Sequence, residues 1–191
     1  MYDVAVTGHT PEKLGLDPQD ENAMRKLAHL VPLIKSAITC QVIGTEPATF
    51  YLGMAQGFDL LAGAAVMQLK NEGQPLAIVC LYPYKNFGKF WSDRLARAWQ
   101  QKIQAAAREV ILCCDGVPAN QQEAKMLLDE RNSKIVVEAI KGNNSRMLSC
   151  YSGRPSGSGR TQAKFEKHGD PLHVTNVWEA IADGLSIRMT V

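Results

Sequence analysis

A chain of 191 residues with 46% hydrophobic and 21% charged residues has the composition of one large globular domain with a substantial core. Its 21 basic and 19 acidic residues leave a formal net charge of only +2, which argues against a protein dedicated to nucleic acid. The start, Met1-Tyr2-Asp3-Val4, lacks the layout of a targeting segment and no apolar stretch reads as long enough to span a bilayer, so a soluble, cytoplasmic protein with no membrane partner is expected.

In chain order, residues 3–8 (DVAVTG) read as a strand that stops on glycine. Residues 20–38 carry Met24, Leu27, Leu30, Val31 and Ile34 at amphipathic spacing, with Pro32 expected to kink or divide the helix. Residues 48–54 form a second strand, 58–70 a helix ending near Gly73, and 76–82 a third strand closed by Pro83. A helix over 93–107 precedes a strand over 109–114. Two helices follow, around 122–129 and 132–141, then a strand over 146–151. Residues 152–161 are rich in Gly, Ser and Pro and read as a loop. A helix over 162–167, a short strand at His173 and Val174, and a helix over 177–185 complete the chain.

Strands alternating with helices predict βαβ units, hence an α/β, Rossmann-like parallel sheet with helices on both faces and a single domain over residues 1–191. Near-continuous apolar strands fit a sheet covered on both sides. The five cysteines (Cys40, Cys80, Cys113, Cys114 and Cys150) include no CxxC pair or zinc spacing, and most sit in apolar runs. Structural cysteines, and no metal or cofactor, are expected.

Ligands of open parallel sheets sit outside the carboxyl ends of the strands. Two tips there are glycine-rich turns that open helices, after residue 52 and after residue 152, and such turns aim N–H groups at one point. The second adds Arg154, Arg160 and several hydroxyls. Neither matches a Walker A loop or GxGxxG, so Gly157-Ser158-Gly159-Arg160-Thr161 reads either as a phosphate loop or as a connector. Asp59 is a helix cap or a functional acid. Lys85, Lys89, Trp91 and Arg94 form a basic lip with Trp91 or Phe90 as a stacking surface, or a solvated helix start.

Thr7-Gly8-His9-Thr10-Pro11-Glu12-Lys13-Leu14-Gly15 is followed by Leu52-Gly53-Met54-Ala55-Gln56-Gly57-Phe58-Asp59 and an alanine-rich helix. Pro83-Tyr84 with Trp91, the pair Arg131-Asn132, and the run from Gly157 to Thr161 come next. In this order the motifs resemble the SLOG superfamily, and within it the YpsA-like branch of bacteria and their phages. The resemblance implies a Rossmann-like sheet whose pocket binds nucleotide-derived ligands. It also implies that Arg131-Asn132 opens a helix. Leu52 departs from the usual serine, and Val137, with Glu138 beside it, stands where the family has an acid. The superfamily's phosphoribohydrolases carry a glutamate just after the glycine loop; here Glu166 is the first acid and lies too far along.

Three readings of function follow, beside a bland fourth, a scaffold domain whose pocket is vestigial. The first is a binding module for a nucleotide, ADP-ribose-like or cyclic-nucleotide signal, acting as a sensor or sequestering protein in antiphage defence or counter-defence. Its ligand residues would be Thr7, Gly8, His9, Gly53, Gly57, Asp59, Lys85, Arg131, Asn132, Gly157, Ser158, Gly159, Arg160 and Thr161. The second is a hydrolase of N-glycosidic or phosphate bonds, with Asp59 or Glu138 as acid/base and His9 as helper. The third is DprA-like binding of single-stranded DNA, for which a near-neutral chain advertises little basic surface. A homodimer or higher homo-oligomer is expected.

Overall fold

The computed structural model describes residues 1–17, 19–154 and 156–189, the last four by backbone alone. Six strands, β1 (Tyr2–Gly8), β2 (Ala48–Leu52), β3 (Leu76–Tyr82), β4 (Glu109–Leu112), β5 (Ser145–Cys150) and β6 (Val174–Asn176), form one sheet in the order β4-β3-β2-β1-β5-β6. Every pairing is parallel. The chain moves outward from β1 through β2, β3 and β4, then returns to place β5 on the other side of β1. That reversal makes β1/β5 the topological switch point, where an open α/β sheet leaves a crevice.

Among the described residues seven α-helices accompany the strands: α1 (Ala23–Leu27), α2 (Val31–Ala37), α3 (Phe58–Asn71), α4 (Arg94–Ala106), α5 (Gln121–Ile140), α6 (Gly157–His168) and α7 (Trp178–Met189). The period-2 alternation of strand side chains feeds two cores. Val4, Val6, Ile78 and Cys80 point to the face covered by α1–α4 and α7, together with Phe50, Phe58, Ile34 and Ile181. Ala5, Val79, Leu81 and Met147 point to the other, against Ile135 and Val136 of α5 and Phe165 of α6. Each such side chain taken from water stabilises by about 1.5–3 kcal/mol, and truncating a buried phenylalanine costs about 3–5 kcal/mol.

The stretch around Pro32 is divided as expected: α1 gives way to a 3₁₀ turn (Ala28–Leu30) before α2 begins, and a π-helical segment (Ile38–Ile43) follows. One expectation needs correcting. Ala23–Ile43, taken as one helical run, has 21 residues and an 18-residue window with a mean hydropathy of 1.2, enough by length and composition to cross a membrane. Here Met24, Leu27, Leu30, Ile34 and Ile38 are buried in the sheet-facing core, the usual fate of a core helix. Asp93 locks this layer: its Oδ1 accepts the Ala96 N–H (2.9 Å) at the start of α4, and its Oδ2 accepts the Met24 N–H (2.7 Å) in α1.

Two differences from the sequence reading bear on the site. The pair of helices expected around 122–129 and 132–141 is the single helix α5, because no Gly or Pro interrupts residues 121–140. Its start is held by Asn120 Oδ1, which accepts the Glu123 N–H (2.9 Å), while Glu123 Oε2 accepts the Ala119 N–H (2.6 Å). Arg131-Asn132 therefore lies in the middle of a helix rather than opening one. The glycine-serine run, expected to be a loop up to residue 161, becomes the first turn of α6. Ser156 Oγ accepts the Gly159 N–H (3.0 Å), and this cap offsets glycines that cost up to about 1 kcal/mol each in a helix.

Candidate functional site

The turn after β2 closes upon itself. Arg131, reaching in from α5, donates through Nη1 to the Gly53 carbonyl and to Asp59 Oδ2 (3.3 Å), and Asp59 Oδ2 also accepts the Ala55 N–H (3.2 Å). Both charged groups are buried, Arg131 at 4% and Asp59 at 6% exposure. Burial pushes the Asp59 carboxyl up and the Arg131 guanidinium down, each opposed by the charge of the other. Gly53 is required because a Cβ there would occupy the place of the Arg131 guanidinium and lie 2.7 Å from Asp59 Oδ2. Gly57 combines a φ of +99° with a Cβ position 2.5 Å from the His9 carbonyl oxygen, which accepts the Phe58 N–H at 3.0 Å. These two glycines serve packing within the turn, and neither lines the cleft described below. Met54 takes a φ of +58°, uncommon for a non-glycine residue. Gln100 clamps it by donating to the Met54 carbonyl (3.2 Å) and the Phe87 carbonyl (3.3 Å).

The tips of β1 and β5 are tied through His9. Its Nε2 accepts the Ser152 N–H (3.0 Å), and the ring packs edge-on against Trp178 (5.1 Å) and Tyr151 (6.2 Å). Burial, and then the Lys13 charge, lower its pKa from 6.5 to about 4, so the imidazole is neutral at neutral pH. His9 is 2% exposed and does not face the main cleft, so the helper role expected for it in hydrolysis has no geometric basis there.

Between the tip of β1 and the helices α5 and α6 lies a cleft of about 490 Å³, within the usual range for small-molecule sites. Its wall brings together Thr7, Gly8, Asp59, Arg131 and Asn132 with Gly157, Ser158 and Arg160 from α6. Ser158 Oγ donates to the Gly8 carbonyl (2.6 Å) and pins the helix start against β1. The N–H groups of Gly157 and Ser158 are the first two of α6 and have no partner inside the helix. A Cβ at Gly157 would meet only Asn132 Nδ2, at an ordinary 3.5 Å, so this helix end is open. Arg160 Nη2 bonds Asp129 Oδ1 (2.7 Å) on the exposed rim.

The remaining expected site residues lie elsewhere. Gly159 is packed under the Tyr151 ring, with a Cβ position 2.7 Å from it. Thr161 Oγ1 donates to the Gly157 carbonyl (2.8 Å) and lines, with Lys164, a small cavity that adjoins the cleft and shares Asp129, Asn132, Gly157 and Arg160 with its wall. Lys85 lines a third cavity with Tyr84, Phe90 and Val117. Glu138 is two turns beyond Arg131 on α5, about 10 Å along the axis, and pairs with Lys141 (2.7 Å). It is outside the cleft wall.

Several wall residues escaped the sequence reading: Phe87, Ala55, Gln56 and, on α5, Lys125, Leu128 and Asp129. With Asn132, the last three follow i, i+3, i+4, i+7 spacing, one face of a helix. Splitting α5 in two hid that face. Trp91 does line the cleft, whereas Phe90 is 86% exposed and stands outside it.

Residues 4–137, well over half of the chain, match the YspA SLOG family, YpsA. A UPF0398 protein of Listeria welshimeri serovar 6b is 26% identical over 114 residues, covering 56% of this chain. The similarity spans 56% of that curated relative's own length. The matched residues include the tips of β1 and β2 and the Arg131 anchor; α6 and its open start lie beyond them. The all-parallel sheet with helices on both faces accords with that match, and the chain belongs to the YspA SLOG family.

Proposed function

We propose that the cleft at the β1/β5 switch point binds a nucleotide-derived, phosphorylated small molecule and holds it without cleaving it, as a sensor or sequestering protein. Family membership supports nucleotide-related binding in general terms. The observation that carries the specific reading is the open start of α6. The residues that carry the two uncommitted N–H groups, Gly157 and Ser158, line a cleft at the positive end of the helix dipole, and Gly157 leaves room for an anion. Arg160 and Lys125 add positive charge at the rim. The Arg160–Asp129 pair is exposed, so exchanging it for a phosphate costs little. Phe87 and Trp91 offer an aromatic wall to a base, and Asn132 and Thr7 offer polar groups to a ribose.

Asp59 is the only expected acid in the cleft wall, and its carboxyl is engaged by Arg131 and the Ala55 N–H. Because burial raises that carboxyl, as suits a general acid, N-glycosidic hydrolysis is the second reading. A thermal-stability screen separates the two. The protein is heated with nucleoside monophosphates, ADP-ribose, cyclic nucleotides and an oligonucleotide, and each compound is recovered by mass spectrometry. A ligand at a hundred times its Kd stabilises by about 2.7 kcal/mol. A shift with the compound returned intact supports binding. A shift with cleavage that Asp59→Asn abolishes replaces it with hydrolysis. A shift with the oligonucleotide alone contradicts the cleft reading.

A further inference from the structure

A second cavity, of about 600 Å³, adjoins the main cleft and shares Glu12 and Lys13 with its wall. Its other walls include His9, Ser152, Arg154 and Trp178. Three features fit an occupant with an aromatic ring and negative charge. The side chains of Lys13 and Arg154 have no ion-pair or hydrogen-bond partner among the described residues, leaving two cations against the single carboxylate of Glu12. The half-buried Trp178 supplies an indole in the wall. The imidazole of His9 is buried, and with Nε2 accepting from Ser152 its Nδ1 carries the proton yet has no partner. His9 lines this cavity, and a buried donor left unsatisfied is costly.

We propose that this second cavity takes the second nucleoside-phosphate-like half of a two-part ligand, whose first half occupies the main cleft. Lys13, common to both walls, sits beneath the linkage between the halves. Glu12 offers an acceptor to a sugar hydroxyl. This inference rests on the cleft reading above and adds the substrate class: a dinucleotide-type molecule rather than a mononucleotide.

The test uses calorimetric titration of the full chain with AMP and GMP against the linear dinucleotides pApA and pGpG. Wild type and Arg154→Gln are compared; Arg154 is exposed, so its replacement leaves the fold intact. A dinucleotide is expected to bind at least about tenfold more tightly than either mononucleotide, with one molecule per chain. Arg154→Gln is expected to remove most of that gain, about tenfold, while mononucleotide affinity stays the same. Trp178→Leu is expected to act in the same direction, and dinucleotides alone are expected to quench the Trp178 fluorescence that this variant identifies. Equal affinity for mono- and dinucleotides, or a dinucleotide gain untouched by Arg154→Gln, overturns the proposal while leaving the cleft reading standing. Two mononucleotides bound per chain, with no gain for dinucleotides, overturns the joined ligand. Binding of neither class overturns the cleft reading, and this proposal with it.

Discussion

The turn after β2 and the start of α6 look alike as strings of glycine with polar neighbours, yet the fold uses them in opposite ways. In the first, protein atoms occupy the space that the glycines leave: the Arg131 guanidinium over Gly53 and the His9 carbonyl under Gly57. Asp59 Oδ2, the Ala55 N–H, Arg131 Nη1 and the Gly53 carbonyl bond one another there, while Arg131 Nε and Gln56 Nε2 stay buried without a partner. In the second, the space at Gly157 is open, and Gly157 and Ser158, whose N–H groups start the helix, line a cleft. Glycine signals a close approach to the backbone and leaves the approaching group unnamed. Here that group is the protein itself at one tip and, on our reading, a phosphate at the other.

The largest effects should come from opening the closed tip. Arg131→Met strands the buried Asp59 carboxylate and is expected to cost about 3–5 kcal/mol in urea denaturation. Adding Asp59→Asn should recover part of that loss; simple additivity of the two would show that the pair is not coupled. Next comes a matched pair of glycine replacements. Gly53→Ala collides with Arg131 and Asp59 and should cost roughly 1–3 kcal/mol. Gly157→Ala has room and should be neutral or stabilising by less than about 1 kcal/mol. Equal losses at the two positions would erase the distinction between the tips.

Smaller effects sharpen the picture of what holds the open tip in place. Ser156→Ala removes the cap of α6 and should cost about 1 kcal/mol, read as a lower denaturation midpoint. At neutral pH the titration of His9 should contribute nothing. Its folded pKa of about 4 lies below the ordinary 6.5, so between those values the unfolded chain binds a proton that the folded chain refuses. Stability should therefore fall as pH drops from 6.5 towards 4 and be flat in this respect above 6.5. His9→Gln should lose that component of the slope, and an unchanged profile would show that His9 is not the group responsible.

Much of the architecture was legible because apolar runs and amphipathic spacing report local geometry directly. The strands and most helices fell where the patterns put them, and Pro32 marked a real division in its helix. The α5 helix was misread because Asp129 to Asn132 is polar, and a polar stretch marks either a loop or the face of a helix that lines a cleft. The site was legible in part for a related reason. The motifs placed Thr7, Gly8, Asp59, Arg131 and Asn132 at one end of the sheet, and the fold gathers them with Gly157, Ser158 and Arg160. No spacing rule showed that Arg131 and Asp59 would pair, since the two lie 72 positions apart and pair only because the fold brings α5 across the β2 tip. Lys85 and Glu138 carry plausible chemistry but lie where helix and loop geometry keeps them from the cleft.

The most direct test of the account is Gly157→Val, titrated with whichever nucleotide stabilises the wild-type protein. A Cβ there meets only Asn132 Nδ2, at 3.5 Å, so a valine adds bulk at the open start of α6. The account predicts an affinity lower by at least about tenfold with an unchanged melting temperature in the absence of ligand. Undiminished affinity in a folded Gly157→Val protein would contradict it and move the ligand away from the start of α6.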